Sequence, residues 1–297
     1  MQTKRQIQQL LASAGIGPNK RLGQNFLIDL NLMRLLVDTA EVNSSDCVLE
    51  IGCGTGSLTA LLAESACKVI GVEIDAKLAD IATVQLSKFD NVEIINTDIL
   101  ENKHNISSTV LDRVKRIRSE CPGRFLLVAN LPYSAACSVM MNLVTGVVVV
   151  DGMYVTIQKE VAERMIASVD NRHYGTLSIF LSATGKVKML RVLKPSVFWP
   201  RPEVDSAMVS FVRDRKKAEQ IVDIDLFCTA VNFFMCHRRK MLKSSVQSAE
   251  GLLAKITDWS EIFERCNIEP TKRPGQISPQ DYIAIANEAF LSISKIG

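Results

Sequence analysis

The chain has 297 residues, of which 47% are hydrophobic and 23% are charged, as is usual for a globular protein. No apolar run is long enough to cross a membrane, so we expect no membrane-spanning helix. The eight cysteines form no CxxC pair and are accompanied by only three histidines. We therefore expect no metal site, no disulfide framework and a cytoplasmic location.

The net charge is +3, and the basic excess lies towards the C-terminus. Residues 1–185 carry 17 basic and 19 acidic side chains, whereas the remaining residues carry 18 and 13. This asymmetry is compatible with a polyanionic partner, although a solvated surface is the more common explanation.

From Cys47 onward, short apolar runs alternate with amphipathic segments. Strands are predicted at Cys47–Ile51, Lys68–Glu73, Val92–Asn96, Arg124–Ala129 and Met153–Gln158. Helices are predicted at Ser57–Ser65, Ala76–Leu86, Ala135–Val144 and Lys159–Ala167. Ser57 is the expected N-cap of the first helix. The alternation predicts βαβ units and an α/β domain with a mostly parallel sheet.

The C-terminal third begins with two further predicted strands, Lys186–Leu193 and Ala207–Val212. They are expected to be antiparallel, because no crossover helix fits between them. Helical patterns follow at Ile224–Phe234, Arg238–Ser245, Asp258–Cys266 and Gln280–Ser292. The sequence therefore predicts a catalytic or binding domain over residues 1–212 and a small all-helical domain over residues 213–297.

The tetrapeptide Asn130-Leu131-Pro132-Tyr133 directly follows the strand predicted to end at Ala129. In open α/β sheets, ligands bind at the carboxyl ends of strands. The amide oxygen can accept from the exocyclic amine of a base, Pro132 fixes the backbone, and the Tyr133 ring can stack on a base. A plain strand-ending turn is the alternative, so the neighbouring motifs decide.

A glycine-rich segment, Glu50-Ile51-Gly52-Cys53-Gly54-Thr55-Gly56, joins the first strand to the first helix. It is neither GxGxxG nor a P-loop, so a phosphate cradle is not favoured. Glu73 ends the second strand, where a carboxylate can accept from ribose hydroxyls, and Asp98 follows the third. Because these groups and Asn130 follow successive strands, they predict a nucleoside-binding edge of the sheet.

This order of motifs resembles the class I S-adenosylmethionine-dependent methyltransferases, and among them those that methylate amino groups. Further segments resemble the ribosomal RNA adenine dimethyltransferases: Lys20–Asp29, Gln158–Arg164, Tyr174–Ser178, Phe198–Ala207 and Phe234–Lys240. The resemblance is to the kasugamycin-sensitivity type. It implies dimethylation of N6 of two adjacent adenosines in the 3′-terminal hairpin loop of small-subunit rRNA, during ribosome biogenesis.

The resemblance also implies a Rossmann-like, seven-stranded sheet and S-adenosylmethionine as the cofactor. The cofactor-binding residues that it implies are Asn25, Leu27, Gly52, Gly54, Glu73, Asp98 and Asn130. Within this set, Glu73 would bind the ribose and Asp98 the adenine amine.

For the target base, the Asn130 side chain and the Leu131 carbonyl would accept both N–H bonds of the amine. Tyr133 would stack on one face of the base and Phe198 on the other, unless Phe198 is a core aromatic. Catalysis would then depend on positioning and electrostatics rather than on a strong base.

The resemblance implies RNA contacts for Arg238, Arg239 and Lys240, and small-subunit rRNA within a pre-ribosomal particle as the partner. The protein is expected to be a monomer without a membrane partner. A second basic cluster lies in a segment longer than is usual in the family, and its role is open: Arg113, Lys115, Arg116 and Arg118.

Three other functions compete with this one. The chain could instead methylate adenine in large-subunit rRNA, as the macrolide-resistance methyltransferases do. It could be a non-catalytic ribosome-assembly or RNA-binding factor, or a methyltransferase of small molecules or DNA. The basic, helical C-terminal segment and its motifs favour the small-subunit enzyme.

Overall fold

The computed structural model describes residues 1–295, and the chain divides into two compact units. The first unit comprises Met1–Ala162 and Lys188–Val212, and the second comprises Glu163–Val187 and the chain from Arg213 onward. The predicted domain boundary after Val212 is one of the places where the chain passes from the first unit to the second. Residues 163–187, which were predicted to lie in the first domain, belong to the second unit. Residues 296 and 297, at the end of the predicted helical domain, lie outside the described residues.

The strands are β1 Phe26–Leu27, β2 Cys47–Ile51, β3 Lys68–Glu73, β4 Val92–Asn96, β5 Leu100–Asn102, β6 Asn105–Ile106, β7 Phe125–Asn130, β8 Gly152–Gln158, β9 Gly185–Leu193, β10 Phe198–Trp199 and β11 Ser206–Arg213. The helices are α1 Lys4–Ser13, α2 Leu30–Ala40, α3 Ser57–Ala63, α4 Ala76–Leu86, α5 Ser108–Glu120, α6 Ala136–Thr145, α7 Lys159–Met165, α8 Thr176–Thr184, α9 Arg215–Ala218, α10 Ile224–Cys236, α11 Leu242–Ser245, α12 Trp259–Arg265 and α13 Pro279–Ser294. Across residues 1–295, no helix is both long enough and apolar enough to cross a membrane.

Within the described residues, seven strands form one sheet in the order β4-β3-β2-β7-β8-β11-β9. The pairs β4–β3, β3–β2, β2–β7 and β7–β8 are parallel, and β8–β11 is antiparallel. This confirms the predicted α/β architecture with a mostly parallel sheet. Strands β2, β3, β4 and β7 therefore end at one edge of the sheet, where ligands bind in such folds.

The core of the first unit lies between this sheet and the helices packed on it. All five residues of β2 are buried, and helices α2, α3 and α5 contact the central strands. Continuous burial fits a strand covered on both faces, as parallel sheets require. Two short antiparallel pairs, β1–β10 and β5–β6, complete the strand pairing outside the main sheet.

The second unit is helical, as predicted, and α8 contributes to its core. Helix α8 packs against α10 and α13, and its apolar residues Leu177, Ile179, Phe180 and Leu181 are buried. This packing explains why residues 163–187 belong to the second unit. That these residues belong to the second unit could not be predicted from their position in the chain, because they are inserted between two segments of the first unit.

One predicted N-cap and one predicted helix start are wrong. Gly56, not Ser57, is the N-cap of α3, and its left-handed backbone (φ +81°) suits glycine. The helix predicted to begin at Arg238 begins only at Leu242, because residues 237–240 form turns after α10. In this turn the His237 carbonyl accepts from the Lys240 amide at 2.8 Å.

Candidate active site

A cavity of about 350 Å³ opens at the carboxyl edge of β2, β3 and β7. Its volume lies within the range of small-molecule sites. The structure brings to it every residue predicted to contact cofactor or base except Phe198: Asn25, Leu27, Gly52, Gly54, Glu73, Asp98, Asn130, Leu131 and Tyr133. All of them belong to the first unit.

The glycine-rich loop lies directly against the Asn-Leu-Pro-Tyr turn. Gly52 has a positive φ of 74°, and a Cβ built there would approach the Pro132 ring to 3.4 Å. The Gly52 amide donates to the Val72 carbonyl at 2.8 Å, which ties the loop to β3. The loop backbone and the turn therefore form adjoining walls of the cavity.

Glu73 is only 5% exposed and holds the glycine-rich loop through hydrogen bonds. Its Oε2 accepts from the Gly54 amide at 2.8 Å and its Oε1 from the Asp75 amide at 3.0 Å. Burial raises the pKa of Glu73, although both amides favour the ionised form. Each carboxylate oxygen keeps further lone pairs, so the group can still accept from hydroxyls in the cavity.

Glu50 is a second buried acid on the cavity wall, and the sequence had assigned it no role of its own. It is 2% exposed, and its Oε2 has no hydrogen-bond partner among the described residues. Burial raises the pKa of Glu50 to about 8, against the lowering effect of the nearby Thr59 hydroxyl, and the Glu73 charge adds to the rise. At neutral pH this buried acid therefore keeps its proton and adds no negative charge to the cavity wall.

Asp98 is exposed at the rim of the cavity after β4. Its Oδ1 accepts from the Leu100 amide at 2.9 Å, which fixes the turn towards β5. The other carboxylate oxygen is available to a donor such as an aromatic amine.

The Asn130 side chain is held at both ends of its amide. Nδ2 donates to the Asn25 carbonyl at 2.8 Å, and Oδ1 accepts from the Thr156 hydroxyl at 2.5 Å. The first bond joins the N-terminal segment to the end of β7. Sequence reasoning missed Thr156, whose only signal is a hydroxyl within the apolar strand β8.

Tyr133 is fixed by a hydroxyl from the antiparallel strand of the sheet. Its phenol lies 2.6 Å from Ser206 Oγ, and Ser206 is fully buried on β11. Burial raises the pKa of Tyr133, so the phenol stays neutral. The half-buried ring lines the cavity with its orientation set.

Phe198 does not line the cavity. It pairs with Leu27 in the β1–β10 register, and its side chain is 1% exposed in a core cluster with Leu27 and Met208. The predicted second stacking wall is therefore a core aromatic in this structure. Phe198 is separated from the cavity by Leu27, its partner in the register, and Leu27 does line the cavity.

The two basic clusters differ in their surroundings. Arg239 and Lys240 are exposed in the turn after α10, and Arg238 donates to the Asn171 carbonyl at 3.2 Å. On α5, by contrast, Arg113 and Arg116 both pair with Glu93, at 3.2 and 2.6 Å. The α5 cluster is thus largely part of the fold of the first unit.

The family model described as ribosomal RNA adenine dimethylase matches residues 17–288. A ribosomal RNA small subunit methyltransferase A from Alkaliphilus oremlandii is 36% identical over 91% of this chain and 91% of the relative. A protein of the same name from Pediococcus pentosaceus is 35% identical over 94% of this chain and 92% of its own.

Two crystal structures share the fold. A dimethyladenosine transferase from Plasmodium falciparum superposes with a TM-score of 0.69 at 22% identity, covering 88% of this chain and 96% of its own. The 23S rRNA methyltransferase ErmE superposes with a TM-score of 0.62 at 19% identity, covering 89% and 99%. At these identities the likeness supports the class I methyltransferase fold alone.

Proposed function

Because the chain belongs to the ribosomal RNA adenine dimethylase family, we propose that it dimethylates N6 of two adjacent adenosines in the 3′-terminal hairpin loop of small-subunit rRNA. The names of the curated relatives support small-subunit rRNA as the substrate. The observation that carries the proposal is the single cavity that joins the glycine loop, two buried acids and the Asn-Leu-Pro-Tyr turn.

The cavity fits S-adenosylmethionine as the methyl donor. Glu50 and Glu73 are acids on its wall, and the Glu73 carboxylate, whose ionised form is favoured by two backbone amides, suits a ligand with hydroxyl donors and a positively charged centre. In our proposal, Glu73 accepts from the ribose, Asp98 from the adenine amine, and the Gly52–Gly54 backbone approaches the methionine part. Asn25 and Leu27 cover the cofactor from the N-terminal segment.

When bound, S-adenosylmethionine would supply an electrophilic methyl group for transfer to the adenosine nitrogen, with the carbon–sulfur bond electrons going to sulfur and an N6 proton to water. The chain's own contribution is positioning. Asn130 Oδ1 and the Leu131 carbonyl accept the two N–H bonds, which aims the nitrogen lone pair into the cavity. Two carbonyl dipoles also stabilise positive charge that develops on this nitrogen.

The target adenosine must leave its stack to reach this turn, at a cost of a few kcal/mol. Tyr133 offsets part of this cost, since stacking of a base on an aromatic ring contributes roughly 1–3 kcal/mol. The Tyr133–Ser206 hydrogen bond keeps the ring in place before the base arrives.

We assign Arg238, Arg239 and Lys240 to RNA backbone contacts on a pre-ribosomal small-subunit particle. Two of the three are exposed, as phosphate-binding side chains must be. The protein acts in this proposal as a cytoplasmic monomer.

The test compares purified enzyme on three substrates: small-subunit particles that lack the modification, large-subunit particles and naked DNA. Mass analysis of small-subunit rRNA should show dimethyladenosine after incubation with S-adenosylmethionine. Asn130→Ala should lower its yield strongly but leave a measurable amount, whereas Asn232→Ala, at an exposed position on α10, should not lower it. Methylation only of large-subunit RNA would favour the macrolide-resistance reaction, and particle binding without methylation would favour an assembly factor.

A further inference from the structure

Thr156 is hydrogen-bonded to both residues that are proposed to accept the target amine. It lies opposite Asn130 in the parallel register of β7 and β8. Its hydroxyl donates to Asn130 Oδ1 at 2.5 Å, and its carbonyl accepts from the Leu131 amide at 3.1 Å. The residue is fully buried, so water does not compete for its hydroxyl.

The direction of these bonds follows from the chemistry of the partners. A backbone carbonyl can only accept, so the group of Asn130 that faces the Asn25 carbonyl must be its NH₂. The amide is planar, and its oxygen therefore faces Thr156. The Thr156 hydroxyl must then donate, since Oδ1 has no proton to give.

We propose that Thr156 is a positioning residue for methyl transfer, an inference that rests on the proposed function. An amide oxygen has two lone pairs, and Thr156 occupies one of them. The other is left for an N–H donor in the cavity that Asn130 lines. Because the last torsion of an Asn side chain is broad, the bond at the oxygen end adds to the Nδ2–Asn25 bond in restricting it.

The hydroxyl is dispensable for the sheet itself. Thr156 is flanked by fully buried Val155 and Ile157, and β8 pairs with β7 and β11 through its backbone. Valine has nearly the same shape as threonine and favours strands. Thr156→Val should therefore remove the hydrogen bond while leaving the strand in place.

The experiment measures kcat on small-subunit particles and, separately, the affinity for S-adenosylmethionine by calorimetry. For Thr156→Val we expect kcat to fall about tenfold or more, because small misplacements of a positioning group are costly. Cofactor affinity should fall by much less than kcat, since the bond from Asn130 Nδ2 to the Asn25 carbonyl is kept. Thr156→Ser, which keeps the hydroxyl, should restore most of kcat. Thr184→Val is the matched control, because Thr184 is equally buried but donates to the Phe180 carbonyl in α8.

A double-mutant cycle with Asn130→Ala tests whether the Thr156 hydroxyl acts through Asn130. Once the amide is gone, Thr156→Val should not lower kcat further. Wild-type kcat in Thr156→Val would overturn the inference, and so would equal losses in Thr156→Val and Thr156→Ser. If wild-type enzyme methylates the particles while Thr156→Val behaves normally, only this inference fails. If the wild type methylates none of them, the proposed function itself is wrong.

Discussion

Glu50 should make the first unit less stable as the pH rises. Its carboxyl is 2% exposed, and burial raises its pKa from 4.5 to about 8. Between these values the unfolded chain has lost the proton and the folded chain keeps it, so proton release favours unfolding. At about 1.4 kcal/mol for each pH unit, the loss reaches about 5 kcal/mol by pH 8.

Glu50→Gln removes the titrating group while keeping its size. Urea unfolding at pH 5, 6, 7 and 8 gives the free energy of unfolding of each protein. A Trp259→Phe background leaves Trp199 as the single tryptophan, and Trp199 lies in the same unit as Glu50. Relative to wild type, the variant should gain about 1.4 kcal/mol per pH unit up to pH 8 and then level off.

The matched control is Glu64→Gln, at an exposed position just after α3. It applies the same chemical change without burial, so its stability difference from wild type should not follow the slope of Glu50→Gln. A flat difference between Glu50→Gln and wild type across this pH range would refute the reasoning. A common slope in both variants would refute it as well.

Three further outcomes are expected. Glu73→Gln should weaken S-adenosylmethionine binding roughly tenfold or more by calorimetry, because hydrogen bonds to a charged carboxylate contribute about 1.5–3 kcal/mol; unchanged affinity would contradict the ribose assignment. Gly56→Ala should lower the free energy of unfolding by about 1–2 kcal/mol, since Gly56 has φ +81°, whereas Gly17→Ala, which meets no atom within 4 Å, should not. Replacing Arg239 and Lys240 by alanine should weaken particle binding and reduce its salt dependence, measured by filter binding between 50 and 200 mM salt; an unaltered salt slope would argue against phosphate contacts.

Much of the first unit could be predicted because its information is local. The β2, β3 and β4 strands and helix α4 have the predicted bounds, since apolar runs and amphipathic repeats encode them directly. The cavity could be located for a related reason: parallel strands place their following residues at one edge, which brings Glu73 and Asn130 together.

What could not be predicted depends on contacts between distant segments. The burial of Phe198 is set by its pairing with Leu27, and nothing near it in the sequence shows this. The placement of α8 depends on α10 and α13, which come later in the chain. Likewise, the role that we propose for the Thr156 hydroxyl depends on the register between β7 and β8, which places it beside Asn130.

The charged and neutral groups around the cavity agree with the shift of positive charge in the proposed reaction. Positive charge leaves the sulfur and develops on the adenosine nitrogen, so a carboxylate beside the sulfur favours the bound state over the transition state. The buried acids Glu50 and Glu73 stand at β2 and β3, whereas the neutral Asn130 amide and Leu131 carbonyl stand at the end of β7. Carbonyl dipoles there attract the developing charge without strengthening the hold on the starting cation. We therefore expect the Glu73 carboxylate to serve cofactor affinity and the neutral acceptors to serve turnover, so that substitutions at the two places separate binding from kcat.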